Sequence, residues 1–567
     1  MIAITLSPLQ HSVTRSSLFL AILLLPFVAL HAAEAPISKP NIIFIYADDL
    51  GWGDLSCHGA ESWLKTPTID RLASEGMDFS QFNVLSPVCS PSRVATMTGR
   101  FPSRFGINNV FNSQTLGPKK SSTMPDWLDP KAPMLPRLLK SAGYHTAHFG
   151  KWHMGAGPQI APEAPEMSAY GIDESKVYHG PGPGIDQHKI GVEAAQFIER
   201  MKGRQPFFLN VWLHESHTRH FPTQESMDRF KDLDPRRQVY AAVLREADLN
   251  VARVLDALKT NGMEQNTLVM FSSDNGPAGT PVTDGDRAPR PEDGDMQKGF
   301  DVFHSVGSAG GLRGRKGNLY EGGVRTPFIV RWPGHIPAGT KNDTTVFSAV
   351  DLLPTLCAAA GIELPAEAAS DGENLIDAFH GKRVRRTKPL FWKHYHIGKQ
   401  DDTWPAWAMR EGDWKLLMDE SGQRIALHNL TQDRAEQTDA SATHPDIVAR
   451  MKPKLIDWIK TLPTSADPSC LHRPPPSEAH FTGGGWIVRC TIASKARLCC
   501  TELIVRKRSR WLPLPFLTGT KRVKPSSSTF THPGSERPKK SRSGYTAHST
   551  LLSSQHGRSC SGPLWSR

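Results

Sequence analysis

Cys89-Ser90-Pro91-Ser92-Arg93 places a thiol four residues ahead of a guanidinium, so that in a helix the two share a face. Asp48-Asp49 follow the apolar run Asn41-Ile42-Ile43-Phe44-Ile45-Tyr46, and Asp274-Asn275 follow Leu268 to Ser272. Adjacent carboxylates repel unless a cation sits between them. Three carboxylates and an amide are all oxygen donors, a set that suits a hard divalent cation, Ca²⁺ before Mg²⁺. Gly150-Lys151-Trp152-His153-Met154-Gly155 puts a permanent cation and a titratable imidazole two residues apart, just after an apolar run ending at Phe149. His217 comes after the run ending at Leu213, and Lys316 lies in the glycine-flanked basic loop Leu312-Arg313-Gly314-Arg315-Lys316-Gly317. A doubly charged oxyanion needs several such donors held together in a low-dielectric pocket. Each group alone reads as a strand-end turn, a surface histidine or a solvated loop. Their combination in one chain points to a site.

The elements that must position these residues alternate between strand and helix. Asn41 to Tyr46 is nearly continuously apolar, as expected of a strand buried on both faces. Pro67 to Met77 and Met134 to Ala142 read as helices, and Tyr144 to Phe149 and Pro206 to Leu213 as strands. The longest helix runs from about Val239 to Leu258, with Val243, Ala247, Val251, Val254 and Leu258 at helical spacing and Gly262 closing it. Leu268 to Ser272 and Thr326 to Arg331 complete the strands. This alternation predicts an α/β fold with a mostly parallel central sheet, whose ligands bind at the carboxyl ends of the strands. After Pro389 the texture changes. Trp407 to Arg410, Trp414 to Leu417 and Arg424 to His428 read as short antiparallel strands, followed by a helix from Ile447 to Leu462. The expected organisation is a leader at 1–35, a catalytic domain at 36–389, a small C-terminal subdomain at 390–464 and a tail at 465–567.

Charge and cysteine divide the 567-residue chain the same way. From Ser465 to Arg567 there are 17 Lys+Arg against 4 Asp+Glu, which leaves 50 against 52 in the rest. The net charge of +11 therefore belongs to the tail, and a nucleic-acid partner is excluded for the folded part. The tail reads as a disordered basic segment or as the translation of a shifted frame. Cys57, Cys89 and Cys357 do not make a disulfide framework; Cys57 and Cys357 read as small packed side chains. Arg15, the apolar stretch Leu18 to Leu30 and the small residues around Ala33 and Ala35 read as a secretory signal. The stretch is shorter than the roughly 20 residues a spanning helix needs, and Pro26 interrupts it. An exported protein without a transmembrane anchor is expected.

The Cys89 motif continuing to Thr98-Gly99-Arg100, Asn41 to Gly53, Gly150 to Gly155, Ser273-Asp274-Asn275-Gly276 and Leu312 to Arg325 together resemble the type I sulfatases of the arylsulfatase family. They occur in that family's order, and the resemblance runs from about Pro40 to Leu462. It implies a large alkaline-phosphatase-like domain, a small C-terminal subdomain and hydrolysis of sulfate esters. By that resemblance Cys89 is the precursor of formylglycine, made by a formylglycine-generating maturation enzyme. Asp48, Asp49, Asp274 and Asn275 would hold one Ca²⁺ together with residue 89. Arg93 would steady the hydrated aldehyde, Lys151 and Lys316 would bind sulfate oxygens, His153 would help sulfate leave, and His217 would contact the leaving oxygen. One departure stands out: the family often flanks the last histidine with prolines, whereas Ser216-His217-Thr218-Arg219 has none, and His214 and His220 lie close by.

The alternatives are a phosphonate or phosphate ester hydrolase of the same superfamily, and a silent protein that binds sulfated glycans without maturing Cys89. The expected substrate is a sulfated carbohydrate or an aryl sulfate. The loops Pro102 to Asp126, Ala156 to Gln187 and Pro277 to Gly311 are expected to rim the pocket, with Asp284, Asp286, Arg287, Arg290 and Lys298 as candidate sugar contacts.

Overall fold

The computed structural model describes residues 39–472, apart from 113, 118–119, 121–122, 158–160, 179–188, 280–287 and 396–403, and four strands between 478 and 513. The expected leader lies outside the described residues. The first compact unit ends at Pro475, and the second begins at Pro476.

In chain order the main elements of the first unit begin with β1 (Asn41–Ala47), α1 (Pro67–Glu75), β2 (Met77–Phe79), α2 (Cys89–Thr98), α3 (Leu135–Ser141), β3 (His145–Lys151) and β4 (Glu174–Tyr178). Then come α4 (Lys189–Met201), β5 (Phe207–Trp212), α5 (Pro235–Thr260), β6 (Thr267–Ser273), α6 (Glu321–Val324), β7 (Phe328–Arg331), β8 (Thr340–Asn342) and α7 (Leu352–Ala359). The C-terminal part holds β9 (Leu390–Lys393), β10 (Trp407–Glu411), β11 (Trp414–Met418), β12 (Ile425–Asn429) and α8 (Pro445–Lys460).

Eight strands form one sheet in the order β8-β2-β7-β6-β1-β5-β3-β4. Every neighbouring pair is parallel except those made by β7, which runs antiparallel to β2 and β6. Because β1, β5 and β6 are buried along their whole length, their sequences are mostly apolar, with Asn210 as the polar residue inside β5. Successive side chains still separate by face. Ile42, Phe44 and Tyr46 join Trp212 and the α2 residues Val94 and Met97, while Ile43, Ile45 and Ala47 pack with α4 and α5. Helix α5 starts where the side chain of Asp234 accepts the N–H groups of Arg236 and Arg237, with Pro235 at the first position.

The register lines up the ends of the strands. Ala47 pairs with Ser273, Tyr46 with Trp212 and Gly150 with Trp212. Whatever follows β1, β3, β5 and β6 therefore meets at one edge of the sheet.

Sheet β9-β10-β11-β12 is an antiparallel meander. It packs within the first unit, with Trp392 Nε1 donating to the Val84 carbonyl at 2.8 Å and Arg410 Nη1 to Asn83 Oδ1 at 2.8 Å. Behind α6 lies a fully buried ionic cluster. Lys415 Nζ stands 2.8 Å from Glu321 Oε1 and 3.0 Å from Glu436 Oε1, and Arg325 Nε is 2.6 Å from Glu321 Oε2. The Glu436 carboxylate also accepts the Glu321 N–H. Burial alone would raise Glu321, but Lys415 and then Arg325 hold it far below the usual carboxylate range. Glu436, with one cation between the two acids, is pushed by burial up to about 7.

The structure differs from the sequence reading at several points. Strand β4 lies inside the stretch read as a loop, and α4 and α7 had no assignment. The first unit also runs past position 465, where patterning fails: the Asp126 N–H donates to the Cys470 carbonyl at 2.7 Å and the His472 N–H to Asp126 at 2.7 Å. In the second unit Glu478–Gly483, Trp486–Thr491, Ile504–Lys507 and Arg510–Pro513 form a four-stranded antiparallel sheet, where the sequence reading gave no regular structure. Runs such as Trp486-Ile487-Val488 carry the β-branched and aromatic residues that favour strands. Among the described residues no helix is long and apolar enough to cross a membrane.

Candidate active site

Asp48 and Asp49 leave the end of β1, and both are buried. Asp49 has φ +62, a left-handed turn that aims the two successive carboxylates at one point. Asp274 and Asn275 leave the adjacent β6 and are fully buried. The Asp49 N–H donates to Asp274 Oδ1 at 3.2 Å, and Asn275 Nδ2 donates to Asp49 Oδ1 at 2.8 Å. Cys89 is the first residue of α2, whose ten residues are all buried. Its sulfur lies 3.3 Å from Asp48 Oδ1 and 3.5 Å from Lys151 Nζ. The free N–H groups at that helix start favour an anion.

Arg93, one turn along α2, is 0 % exposed. Its Nη2 and Nε donate to Asp274 Oδ2 at 2.6 and 2.9 Å, and its Nη1 to the Lys151 carbonyl at 2.9 Å. The guanidinium also lies over Trp212, 5.0 Å from the ring centroid. Lys151, at the end of β3, places Nζ 2.6 Å from Asp48 Oδ2. Lys316 places Nζ 2.6 Å from Asp49 Oδ1. Its loop is tied to both neighbours, with the Lys316 N–H on the Pro277 carbonyl at 3.1 Å and the Gly317 N–H on the Pro87 carbonyl at 2.8 Å.

The histidines sort themselves by position. His217 Nε2 is 3.7 Å from Asp49 Oδ2, and the side chain keeps 21 % of its surface exposed. Donor atoms of Asp48, Asp49, Cys89 and His217 all lie within 4.8 Å of one another. His214 is buried beneath, with Nδ1 2.6 Å from Asp48 Oδ2, and stacks on His217 at 4.8 Å between centroids. His220 points elsewhere, bonded to Ser305 Oγ at 2.8 Å. His153 has φ +53, and its Nε2 is 2.8 Å from the Phe111 carbonyl; its Nδ1 is buried with no partner.

The electrostatics follow from burial. Burial and then the Asp274 and Asp48 carboxylates raise the Cys89 thiol well above its usual range, so an unmodified Cys89 is a poor source of thiolate. Burial, then Lys151, lowers His153, and burial, then Lys151 and Lys316, lowers His217. Both imidazoles are neutral near pH 7. Asp48 is held well below the carboxylate range because Lys151, then Arg93 and the hydrogen bond from His214, outweigh its burial.

The donor set fits a divalent cation. Asn275 Oδ1 is a buried oxygen with no partner, beside Asp49 and Asp274. A buried amide oxygen left unsatisfied is costly, and a cation among the carboxylates would relieve it. Asp274 stands apart from the tight group because Arg93 occupies its Oδ2.

Every site residue expected from the sequence thus lies at this edge of the sheet. The sequence missed the partnership of His214 with Asp48, for which only its nearness to His217 was a signal. It also missed the Phe111 carbonyl, a backbone group with no sequence signal at all. Of the loop charges, Asp284, Asp286 and Arg287 lie outside the described residues. Arg290 pairs with Glu292 at 3.6 Å and Lys298 with Asp295 at 3.5 Å, all exposed.

A mostly parallel sheet between helices, with acidic strand ends and a residue at a helix start aimed at one point, defines an alkaline-phosphatase-like α/β hydrolase. Residues 40–362 match the sulfatase family model, and residues 315–461 match the C-terminal domain of N-sulphoglucosamine sulphohydrolase. The chain belongs to the sulfatase family. It is 31 % identical to human arylsulfatase A over 73 % of this chain and 82 % of that protein. It is 32 % identical to pig N-acetylgalactosamine-6-sulfatase over 65 % of this chain and 71 % of that one. A solved structure of Ps i-CgsB with k-i-k-neocarrahexaose superposes with a TM-score of 0.63 at 28 % identity, covering 77 % of this chain and 95 % of the other. The chain is a type I sulfatase, a sulfuric ester hydrolase.

Proposed function

We propose that the protein is exported, that its Cys89 is oxidised to formylglycine by a maturation enzyme, and that with one Ca²⁺ it removes sulfate from sulfated carbohydrates. The observation that carries this reading is the position of residue 89. It stands at the start of α2, 3.3 Å from Asp48 and 3.5 Å from Lys151, in a group with Asp49 and His217. The carbohydrate part draws on relatives named for N-acetylgalactosamine-6-sulfate and on the structure solved with a neocarrahexaose.

Asp48, Asp49, Asp274 and Asn275 would hold the cation, whose contribution is to acidify a bound hydroxyl and polarise the sulfate. As formylglycine, residue 89 would supply in its hydrate one hydroxyl to attack sulfur and a second whose deprotonation would release sulfate and restore the aldehyde. The other roles fall to this chain's side chains. Arg93, pinned by Asp274 and the Lys151 carbonyl, fixes residue 89 from the buried side. Lys151 and Lys316 bring ammonium groups to opposite sides of the carboxylate pair, where sulfate oxygens can replace a carboxylate as their partner. His217, partly exposed, turns Nε2 toward the site while its Nδ1 donates to the Thr218 carbonyl at 2.5 Å, so it would give a proton to the leaving oxygen only after taking one up at Nε2. His153, neutral and with Nδ1 unpartnered, is placed to accept the proton. The test is the mass of the tryptic peptide holding residue 89, from protein made in a host with the maturation system, together with sulfate release from sulfated oligosaccharides. An aldehyde at residue 89 and release of sulfate are expected. An unmodified thiol in active protein refutes the mechanism. Faster turnover of a phosphate than of a sulfate ester of one phenol refutes the substrate class.

A further inference from the structure

We propose that Arg313 and Arg424 form an anion-binding subsite beside the catalytic centre, taking a second sulfate or a carboxylate of a polyanionic carbohydrate. The subsite presupposes the sulfated-carbohydrate substrate proposed above and extends it from one sulfate to two anionic groups.

Two exposed arginines set their guanidinium carbons over aromatic rings near the site. Arg313 Cζ is 4.0 Å from the centroid of Tyr320, and Arg424 Cζ is 4.2 Å from that of Trp404. The two platforms are joined, since Trp404 Nε1 donates to the Tyr320 hydroxyl at 3.1 Å. The result is a continuous tract of arginine, tyrosine, tryptophan and arginine. It runs from the loop that carries Lys316 onto the C-terminal sheet.

Arg313 precedes Lys316 by three residues, so their Cα atoms are at most about 11 Å apart. That is the spacing of neighbouring sugars in a chain, to order of magnitude. The Arg313 end is fixed: its Nη1 donates to the Glu436 carbonyl at 2.8 Å, and its own carbonyl accepts the Gly322 N–H at 2.7 Å. Tyr320 is buried and cannot drift.

Among the described residues neither guanidinium has a carboxylate within ion-pair distance. Other exposed basic groups, such as Lys298, Arg290, Arg450 and Lys454, do have an acidic partner; what sets Arg313 and Arg424 apart is that two joined aromatic rings hold them. Stacking holds a guanidinium plane in place while leaving its N–H edge available, the geometry that suits planar oxyanions. Aromatic faces beside it suit the apolar faces of sugar rings.

The test separates binding from turnover. Full-length Cys89→Ala protein is titrated calorimetrically with three disaccharides of matched linkage: monosulfated and neutral at the second sugar, disulfated, and monosulfated with a uronate. Two semi-exposed charge pairs predict that a second anion tightens binding about tenfold. That preference should fall to about twofold or less when Arg313→Gln and Arg424→Gln are added. Arg424→Gln alone, whose guanidinium is exposed over the Trp404 ring, should lose about half of it on a logarithmic scale with no change in thermal stability. The disulfated and uronate arms tell a sulfate from a carboxylate. A preference absent from the parent, or unchanged in both variants, overturns the subsite. Sulfate release by the matured wild-type enzyme is followed in parallel. Release with an arginine-independent preference sinks the subsite alone; an arginine-dependent preference without release sinks only the hydrolysis of these sugars.

Discussion

Replacing Lys415 by methionine should destabilise the fold, and by an amount that depends on pH. Lys415 is 0 % exposed and is shared between Glu321 at 2.8 Å and Glu436 at 3.0 Å. Methionine fills similar volume, so the loss is mainly electrostatic. Glu321 keeps Arg325 at 2.6 Å; among the described residues Glu436 keeps no cation of comparable closeness. Removing one partner from a buried ion pair costs about 3–5 kcal/mol. That full cost applies near pH 8, where both acids are ionised. Glu436 in the folded protein titrates at about 7, above its ordinary 4.5. A carboxyl raised on folding favours the folded state most when protonated, below its unfolded pKa, and this contribution is lost as pH rises through about 7. At pH 5.5 Glu436 already carries a proton, so the substitution strips only one of the two cations on Glu321. The cost should fall by ~1.4 kcal/mol, equivalent to the roughly one pK unit by which pH 8 exceeds the wild-type value of about 7. Urea unfolding at pH 5.5 and 8.0 on wild type and variant measures this. A cost below about 1 kcal/mol at pH 8, or an equal cost at both pH values, would show that the cluster is not held as described.

The remaining predictions concern the site. Cys89→Ser should lose multiple turnover by about a thousandfold or more, read as sulfate released per enzyme; turnover at the wild-type rate would remove residue 89 from the chemistry. Chelation should abolish activity and lower the unfolding temperature, because a ligand bound only to the folded state stabilises it by about 2.7 kcal/mol at a hundred times its Kd; Ca²⁺ should restore both better than Mg²⁺, and recovery with Mg²⁺ alone would reassign the ion. His217→Ala should reduce kcat by about a hundredfold or more, whereas His214→Ala, whose imidazole lies behind Asp48, should act mainly through metal affinity and be rescued in part by excess Ca²⁺. If only the His214 variant is dead, the roles of the two histidines are exchanged.

How far the sequence could be read depended on whether a residue's neighbours were local. Strands β1, β5 and β6 announced themselves because burial on both faces demands mostly apolar runs, and the acids at their ends could be placed at once. Strand β2, with three residues, and β4, Glu174–Tyr178 with polar Glu, Ser and Lys, have no such pattern. They are strands because neighbours in the sheet offer them hydrogen bonds. The Cys89 motif gave the identity of the site, yet not that Arg93 would spend its guanidinium on Asp274, 181 positions away. Lys415 was legible only as part of a short antiparallel strand; its burial was not, because lysine is rarely buried unless paired and its two glutamates come from distant segments.

The burial of Cys89 also fixes an order of events in the life of the chain. The thiol is 1 % exposed, roofed by Asp48 and Lys151 and followed by a helix with no exposed residue. No second enzyme can bring its own active site around such a group. The oxidation of residue 89 proposed above would therefore have to be finished before β1 and β6, from either side in sequence, have closed over α2. Since Asp274 and Lys316 are made long after Cys89, translation itself leaves a window in which the motif is still an extended segment. The yield of active enzyme is then a race between modification and folding. Whatever speeds the closing of the sheet, including the cation that Asp48 and Asp49 would gather, shortens the time in which the catalyst can be made.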